Sequence, residues 1–272
     1  MKFISVYDTG SVTLATTPTP VPMKPLPVLG HIIGLKISVT ASASGTLSSP
    51  APLTAAIQSF NLKDAGQRDI LPATIAGADL VNLEYLLNPK GIAVSPPNIS
   101  NSSQTFSFIL YLPVAVTAQP TFLSLVLSPY SALASSGATG GSAEVAVAWV
   151  VEDRMQGQQP TARVFTFAPS LVSGANSLAF YLDRSKRTTL IAAVIPDASF
   201  SNVTFRSATE TEIQNATQAD LAAIDNSVTN SGHQSGLQVF RVSPFVASDA
   251  TYFVVTTSAA VNSATFYQIE TD

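Results

Sequence analysis

The strongest pattern in the chain is alternation of apolar and polar residues. In IGLKISVTA, Ile33, Leu35, Ile37 and Val39 fall on one side of an extended backbone, and Gly34, Lys36, Ser38 and Thr40 on the other. This is the period of a half-buried strand. The same period runs through Leu123, Leu125 and Leu127, through Val145, Val147, Trp149 and Val151, and through Leu178, Phe180 and Leu182. Helical spacing occurs in only two places. ADLVNLEYLL, from Ala78, and ADLAAIDNSV, from Ala219, each set an Asp near the positive end of a helix dipole. Each then carries apolar residues at i, i+3 and i+7: Leu80, Leu83 and Leu87 in the first, Leu221, Ile224 and Val228 in the second. Those six residues are the expected inner faces of two short helices. The pattern predicts an all-β chain with one short α-helix in each half.

The halves can be laid over each other. Asp79 and Asp220 are 141 positions apart. Downstream of them FSFILYLPVAV answers to LQVFRVSPFVA, with Pro113 matching Pro244. TFLSLVLS from Thr121 then answers to TYFVVTTS from Thr251, and SAEVAVAWVVED from Ser142 to SATFYQIETD from Ser263. Upstream, GSVTL from Gly10 pairs with NSLAFYL from Asn176, and HIIGLKISV with TTLIAAVIP. The order is kept while the spacing shrinks. The second copy is therefore expected to have shorter loops where the first carries NPKGIAVSPPNISNSSQ and SPYSALASSGATGG.

We read a duplication: a first module over residues 1–152, a polar, Gln-, Pro- and Gly-rich linker over 153–162, and a second module over 163–272. Seven or eight short strands per module is the strand count of a jelly roll, so two tandem jelly-roll β-barrels or sandwiches are expected. TTPTPVPMKPLP, residues 16–27, has prolines too dense for a central strand. Because proline cannot donate to a ladder, it is expected as an extended segment outside the sheets.

Composition narrows the function classes. The chain has 272 residues, 11% charged, with 13 basic and 17 acidic side chains and a net charge of −4. That is no electrostatic footprint for direct nucleic-acid binding. The one basic cluster, Arg184, Lys186 and Arg187, lies between apolar runs and reads as a solvated hairpin turn. There is no cysteine, hence neither a disulfide nor a thiolate metal site. MKFISVYDTG is too short in its apolar run for a signal-peptide core, which points to synthesis in the cytoplasm. FSFILYLPVAVTAQPTFLSLVLSP is broken by Pro113, Gln119 and Pro120 and reads as two core strands.

Candidate chemistry is sparse, and neither a cofactor nor a metal is expected. His31 opens a strand and His233 sits in the loop TNSGHQSG, each alone in its stretch of sequence and outside any metal spacing. No G-x-S-x-G elbow is present. Glu152 and Asp153 adjoin the linker, and Gly140-Gly141 reads as a turn. Trp149 shares a face with Val147 and Val151, which favours core packing over a sugar-stacking platform. The N-x-S/T sequences at Asn98, Asn101, Asn202 and Asn215 read as turn-rich composition.

The tandem β modules, the helix within each (GADLVNLEYLL and QADLAAIDNSV), and the passage AAIQSFNLKDAGQRDILPATIAGADL together resemble the major capsid proteins of the double jelly-roll lineage. This lineage comprises membrane-containing icosahedral viruses, tailless bacteriophages and adenovirus-like shells among them. The resemblance implies a non-catalytic subunit of the virion capsid, made in the host cytoplasm. It also implies a homotrimer forming a pseudo-hexagonal capsomer within a capsid lattice. Its partners would be other capsid or membrane-associated virion proteins, with a lipid membrane beneath the shell. In that setting residues 16–27 would contact a neighbouring subunit or the particle's inner face. The alternative reading is an extracellular β-sandwich binding or adhesion module.

Overall fold

The computed structural model describes residues 2–27, 31–63, 69–71, 75–88, 95–116, 121–152, 162–179, 187–206, 212–245, 252–262 and 264–271. These fall into two compact units that divide between Glu152 and Ala162. Ala162 already opens a strand, and the rest of the expected linker lies outside the described residues. So do the basic residues Arg184 and Lys186, while Arg187 opens a strand.

The first unit contains β1 (Lys2–Asp8), β2 (Val12–Thr13), β3 (Thr19–Leu26), β4 (His31–Pro50), β5 (Ile57–Lys63), α1 (Gly77–Leu87), β6 (Gln104–Val116), β7 (Thr121–Leu127) and β8 (Ala134–Glu152). One sheet runs β1-β8-β4-β6, with β2 also on β8, and the other runs β3-β7-β5, all antiparallel. The second unit contains β9 (Ala162–Phe167), β10 (Gly174–Ala179), β11 (Arg187–Val194), β12 (Phe200–Arg206), β13 (Glu212–Thr217), α2 (Gln218–Val228), β14 (Leu237–Phe245), β15 (Tyr252–Thr257) and β16 (Phe266–Thr271). Its sheets run β9-β16-β11-β14 and β10-β15-β12-β13.

Position by position the two orders coincide. Strands β1, β8, β4 and β6 answer to β9, β16, β11 and β14, and β3, β7 and β5 answer to β10, β15 and β12. Among the described residues the place of β13 beside β5 is held in the first unit by isolated bridges, Lys63 to Asp69 and Phe60 to Ile75, the latter immediately before α1. Each helix therefore leads into the last strand of its unit's first sheet, β6 or β14. Pro113 and Pro244 lie on those two strands. A sheet order that places strands of distant sequence side by side in two facing sheets is the jelly-roll arrangement.

The alternating residues form the cores. Leu35, Ile37 and Val39 of β4, Val145, Val147 and Trp149 of β8, and Leu123, Leu125 and Leu127 of β7 are all buried. Trp149 Nε1 donates to the Pro27 carbonyl at 2.7 Å, so burial costs the indole no hydrogen bond. The second core is more aromatic: Phe205 stacks on Phe253 at 6.1 Å, and Phe253 packs on Phe266 at 5.7 Å.

Five expectations are corrected. Residues 19–26 of the Pro-rich segment are a strand: β3 pairs with β7 from Thr19 opposite Leu127 to Leu26 opposite Thr121. It is an edge strand, where a missing N–H costs nothing on the outer side. The register slips by one residue between Val21 and Lys24. Proline spacing changes phase at the same point, from 20 and 22 to 25, so the three prolines within β3 keep the same side, and all three are exposed.

The stretch 128–141 is a 3-10 turn plus half of β8 rather than a loop. The first unit is longer because β4 and β8 run on together as a ribbon, paired from His31–Glu152 to Pro50–Ala134. Gly140 and Gly141 lie inside β8, where a Cβ on Gly141 would stand 2.8 Å from the Ser42 carbonyl. Asn202 and Asn215 are strand residues of β12 and β13. Finally, the counterpart of β10 is β3, not the stretch beginning at Gly10.

Candidate functional site

The helices begin alike. Asp79 accepts from the Ala76 amide at 3.1 Å, and Asp220 accepts from the Thr217 amide at 2.9 Å and hydroxyl at 2.7 Å. A carboxylate there binds free backbone N–H groups and faces the positive end of the dipole. The Thr217 hydrogen bonds hold the Asp220 carboxyl below its ordinary range.

The inner faces are not quite those expected. Leu80, Leu83 and Leu221 are buried, Leu87 and Ile224 are half-buried, and Val228 is 45% exposed. Val228 is therefore not part of the inner face. The helix turns position 225 inward instead, four residues after Leu221. In α1 the same rule buries Glu84, four residues after Leu80. Each helix thus places a carboxylate where the helical period calls for an apolar side chain.

Around Asp225 a polar cluster is assembled from four elements. Asp225 is fully buried on α2. Arg241 Nε, from β14, lies 3.4 Å from its Oδ1, and His233 Nδ1, from the loop 229–236, lies 3.8 Å from its Oδ2. The other ring nitrogen, Nε2, lies 3.4 Å from Oδ1 of Asp197, in the turn after β11. Asp197 Oδ1 also accepts from Gln238 Nε2 at 2.6 Å and the Gly236 amide at 3.1 Å, and its Oδ2 accepts from Ser235 Oγ at 2.9 Å. Burial pushes the Asp225 carboxyl above its ordinary range, and Arg241 and His233 only partly offset this. Burial also pushes Asp197 upward, but its hydrogen bonds outweigh that and hold it below the ordinary range. In the first unit burial raises Glu84, against a hydrogen bond with Asn88.

Chemically this is a bridge. A serine triad needs the hydroxyl on one ring nitrogen and the acid on the other, whereas both nitrogens of His233 face carboxylates and Ser235 donates to Asp197. His233 is thus isolated in sequence but not in space. His31 opens β4 as expected, and its side chain lies outside the described residues. Among the described residues no group of three or more His, Asp or Glu is placed to hold a metal. Asp197, Asp225, Gln238 and Arg241 were missed in the sequence; the signal available was an acid at i+4 from the buried leucine, present in both helices.

No protein-family model matches the chain, and no curated protein sequence matches it. Solved structures do. The crystal structure of the STIV MCP matches with a TM-score of 0.64 and 12% identity, over 100% of this chain and 96% of that one. The major capsid protein P2 from Bacteriophage PM2 matches with a TM-score of 0.62 and 13% identity, over 99% and 97%. A chain of the atomic structure of Sulfolobus Turreted Icosahedral Virus matches with a TM-score of 0.66 and 13% identity, over 98% and 90%. The chain has the double jelly-roll fold. At this identity the likeness concerns fold, and it covers both jelly rolls of this chain and nearly the whole of each neighbour, not one shared module. The double jelly roll is also what the internal strand-for-strand correspondence describes.

Proposed function

We propose that the chain is a capsid subunit of a virus, in which three copies form a pseudo-hexagonal capsomer and capsomers tile an icosahedral shell. The observation that carries this is the duplication itself: two units of identical strand order in one chain let three chains supply six similar barrels around one axis. A threefold assembly then acquires a nearly sixfold outline, and closed symmetry follows. Full-length likeness to the STIV and PM2 capsid proteins supports the same reading. In this role the subunit is structural, not catalytic. Its partners are further copies of itself, other capsid or membrane-associated virion proteins, and a membrane beneath the shell, with no direct grip on nucleic acid. It is made in the host cytoplasm and works in the virion. Native mass spectrometry of the full chain at rising concentration, with electron microscopy of the products, should show trimers and larger assemblies. A chain that stays monomeric throughout would overturn the proposal.

A further inference from the structure

We propose that His233 is a pH-sensitive latch: with two protons its ring fastens the α2–β14 connection, residues 229–236, to the turn after β11, and with one proton it releases that connection. The inference stands on the second unit alone and does not depend on capsid assembly. Its basis is the position of the ring between two acids: Asp197 Oδ1 is at hydrogen-bond distance from Nε2, 3.4 Å, and Asp225 Oδ2 is at ion-pair distance from Nδ1, 3.8 Å. A doubly protonated imidazole can donate to both. A neutral one donates from a single nitrogen and turns a lone pair toward the other acid, so one of the two charge-assisted contacts is lost whichever tautomer forms.

Among the described residues, the charged groups facing the ring are Asp225 from α2, Asp197 from the turn after β11 and, across Asp225, Arg241 from β14. Neither carboxylate depends on the ring alone. Arg241 stays beside Asp225, and Gln238, on β14, stays on Asp197, while the contacts of Ser235 and Gly236 with Asp197 weaken as the connection loosens. Loss of the ring's proton therefore loosens the connection without unfolding the barrel. Two amides report on it directly: His233 N donates to Asn226 Oδ1 at 2.9 Å, and Gly236 N donates to Asp197 Oδ1 at 3.1 Å. Hydrogen bonds hold Asp197 below the ordinary carboxylate range, so it remains an acceptor throughout the range in which a histidine titrates.

Amide hydrogen exchange of the full chain, corrected for the intrinsic pH dependence of exchange, tests this between about pH 5 and 8. Protection of the His233 and Gly236 amides should fall about tenfold as pH rises, the factor expected for one charge-assisted hydrogen bond. Amides of β11 and β16 should not change. His233→Gln should abolish the step, leaving protection flat with pH. A step that persists in His233→Gln would assign the titration to Asp225 and overturn the proposal, as would a flat profile in the unaltered chain. Should His233→Gln fail to fold, the midpoint of the step can be compared with protonation of the His233 ring followed by nuclear magnetic resonance. Coincidence supports the latch, and separation of the two overturns it.

Discussion

Glu84 and Asp225 occupy the same position in the two units, four residues after a buried leucine on the helix that leads into the closing strand. Their surroundings differ. Glu84 has the neutral Asn88 as its hydrogen-bonding partner, whereas Asp225 has the Arg241 guanidinium at 3.4 Å and His233 at 3.8 Å. Burial favours the protonated form of both carboxyls, and in the second unit attraction to Arg241 and His233 offsets part of that cost. The position is shared, and the way its burial is compensated is not. The first unit tolerates an acid beneath its helix, while the second uses one to tie four elements together. The cores differ in parallel. The longer strands β4 and β8 bury mostly aliphatic residues, and the shorter β11 and β16 belong to a core in which phenylalanine rings fill the space.

The largest effect should come from unequal burial at matched helix positions. Leu83 is 0% exposed and its counterpart Ile224 is half-buried. Leu83→Asp removes a fully buried side chain and inserts a charge, so it should destabilise the first unit by about 4 kcal/mol or more. Ile224→Asp, with solvent within reach, should cost the second unit about 1–2 kcal/mol. Trp149, the single tryptophan, lies in the first core. Its fluorescence during denaturation therefore reports that unit, and circular dichroism reports both. Equal losses at the two positions would break the comparison.

Much of this arrangement was legible in the sequence, and the failures have identifiable causes. Period-2 alternation located β4, β7 and β8 because each has one face on a core. The phrase around Asp79 and Asp220 located both helices, and the ordered matches after it located β6, β7 and β8 against β14, β15 and β16. The Pro-rich segment was misjudged because proline density argues against a central strand, and β3 is an edge strand with a bulge that keeps its rings in phase. Gly140-Gly141 was misread as a turn because glycine marks close backbone approach as readily as reversal. The polar cluster was hidden for another reason. Asp197 lies 36 residues before His233 and is brought to it by the sheet pairing of β11 with β14, whereas Asp225 and Arg241 are near in sequence but on different elements, α2 and β14. Only the acid at i+4 was visible, and it was passed over because the helix face was drawn through i+7.

An effect of intermediate size separates the carboxylates by pH. A raised carboxyl in the folded state stabilises the fold at pH below its ordinary value, and that stability is lost as pH rises through the folded value. Glu84 is of this kind, with an ordinary value of 4.5. Glu84→Gln should therefore raise stability at pH 7, by up to about 1 kcal/mol, and the gain should shrink to nothing as pH falls below 4.5. Asp197 has the opposite sign. Its depressed carboxyl stabilises the fold above the ordinary value of 3.8, and that contribution disappears as pH falls through the folded value. Asp197→Asn should thus lower stability at neutral pH and matter little in strong acid. Denaturation midpoints of each variant and the unaltered chain across pH 3–8 check both signs. Parallel profiles for the two variants would contradict the contrast.

The smallest effect tests how far the helices correspond at their ends. Val228 and Leu87 are equivalent by spacing, each the last residue of its helix, yet Leu87 is half-buried and Val228 is 45% exposed. Leu87→Ser should cost the first unit about 1 kcal/mol, roughly half the value of burying a leucine completely. Val228→Ser should change the second unit by less than about 0.5 kcal/mol, as a substitution at a solvated surface does. The difference lies on the flank that i+7 shares with i+3: that neighbour is the fully buried Leu83 in α1 but the half-buried Ile224 in α2, so the α2 face is narrower on the side of Val228. In α1 the face runs through Leu80, Leu83 and Glu84, broad enough that Leu87 still touches it. Urea denaturation of the two single variants resolves the difference. A cost at Val228 as large as that at Leu87 would mean that α2 docks through i+7 after all, with Asp225 displaced from the centre of its face.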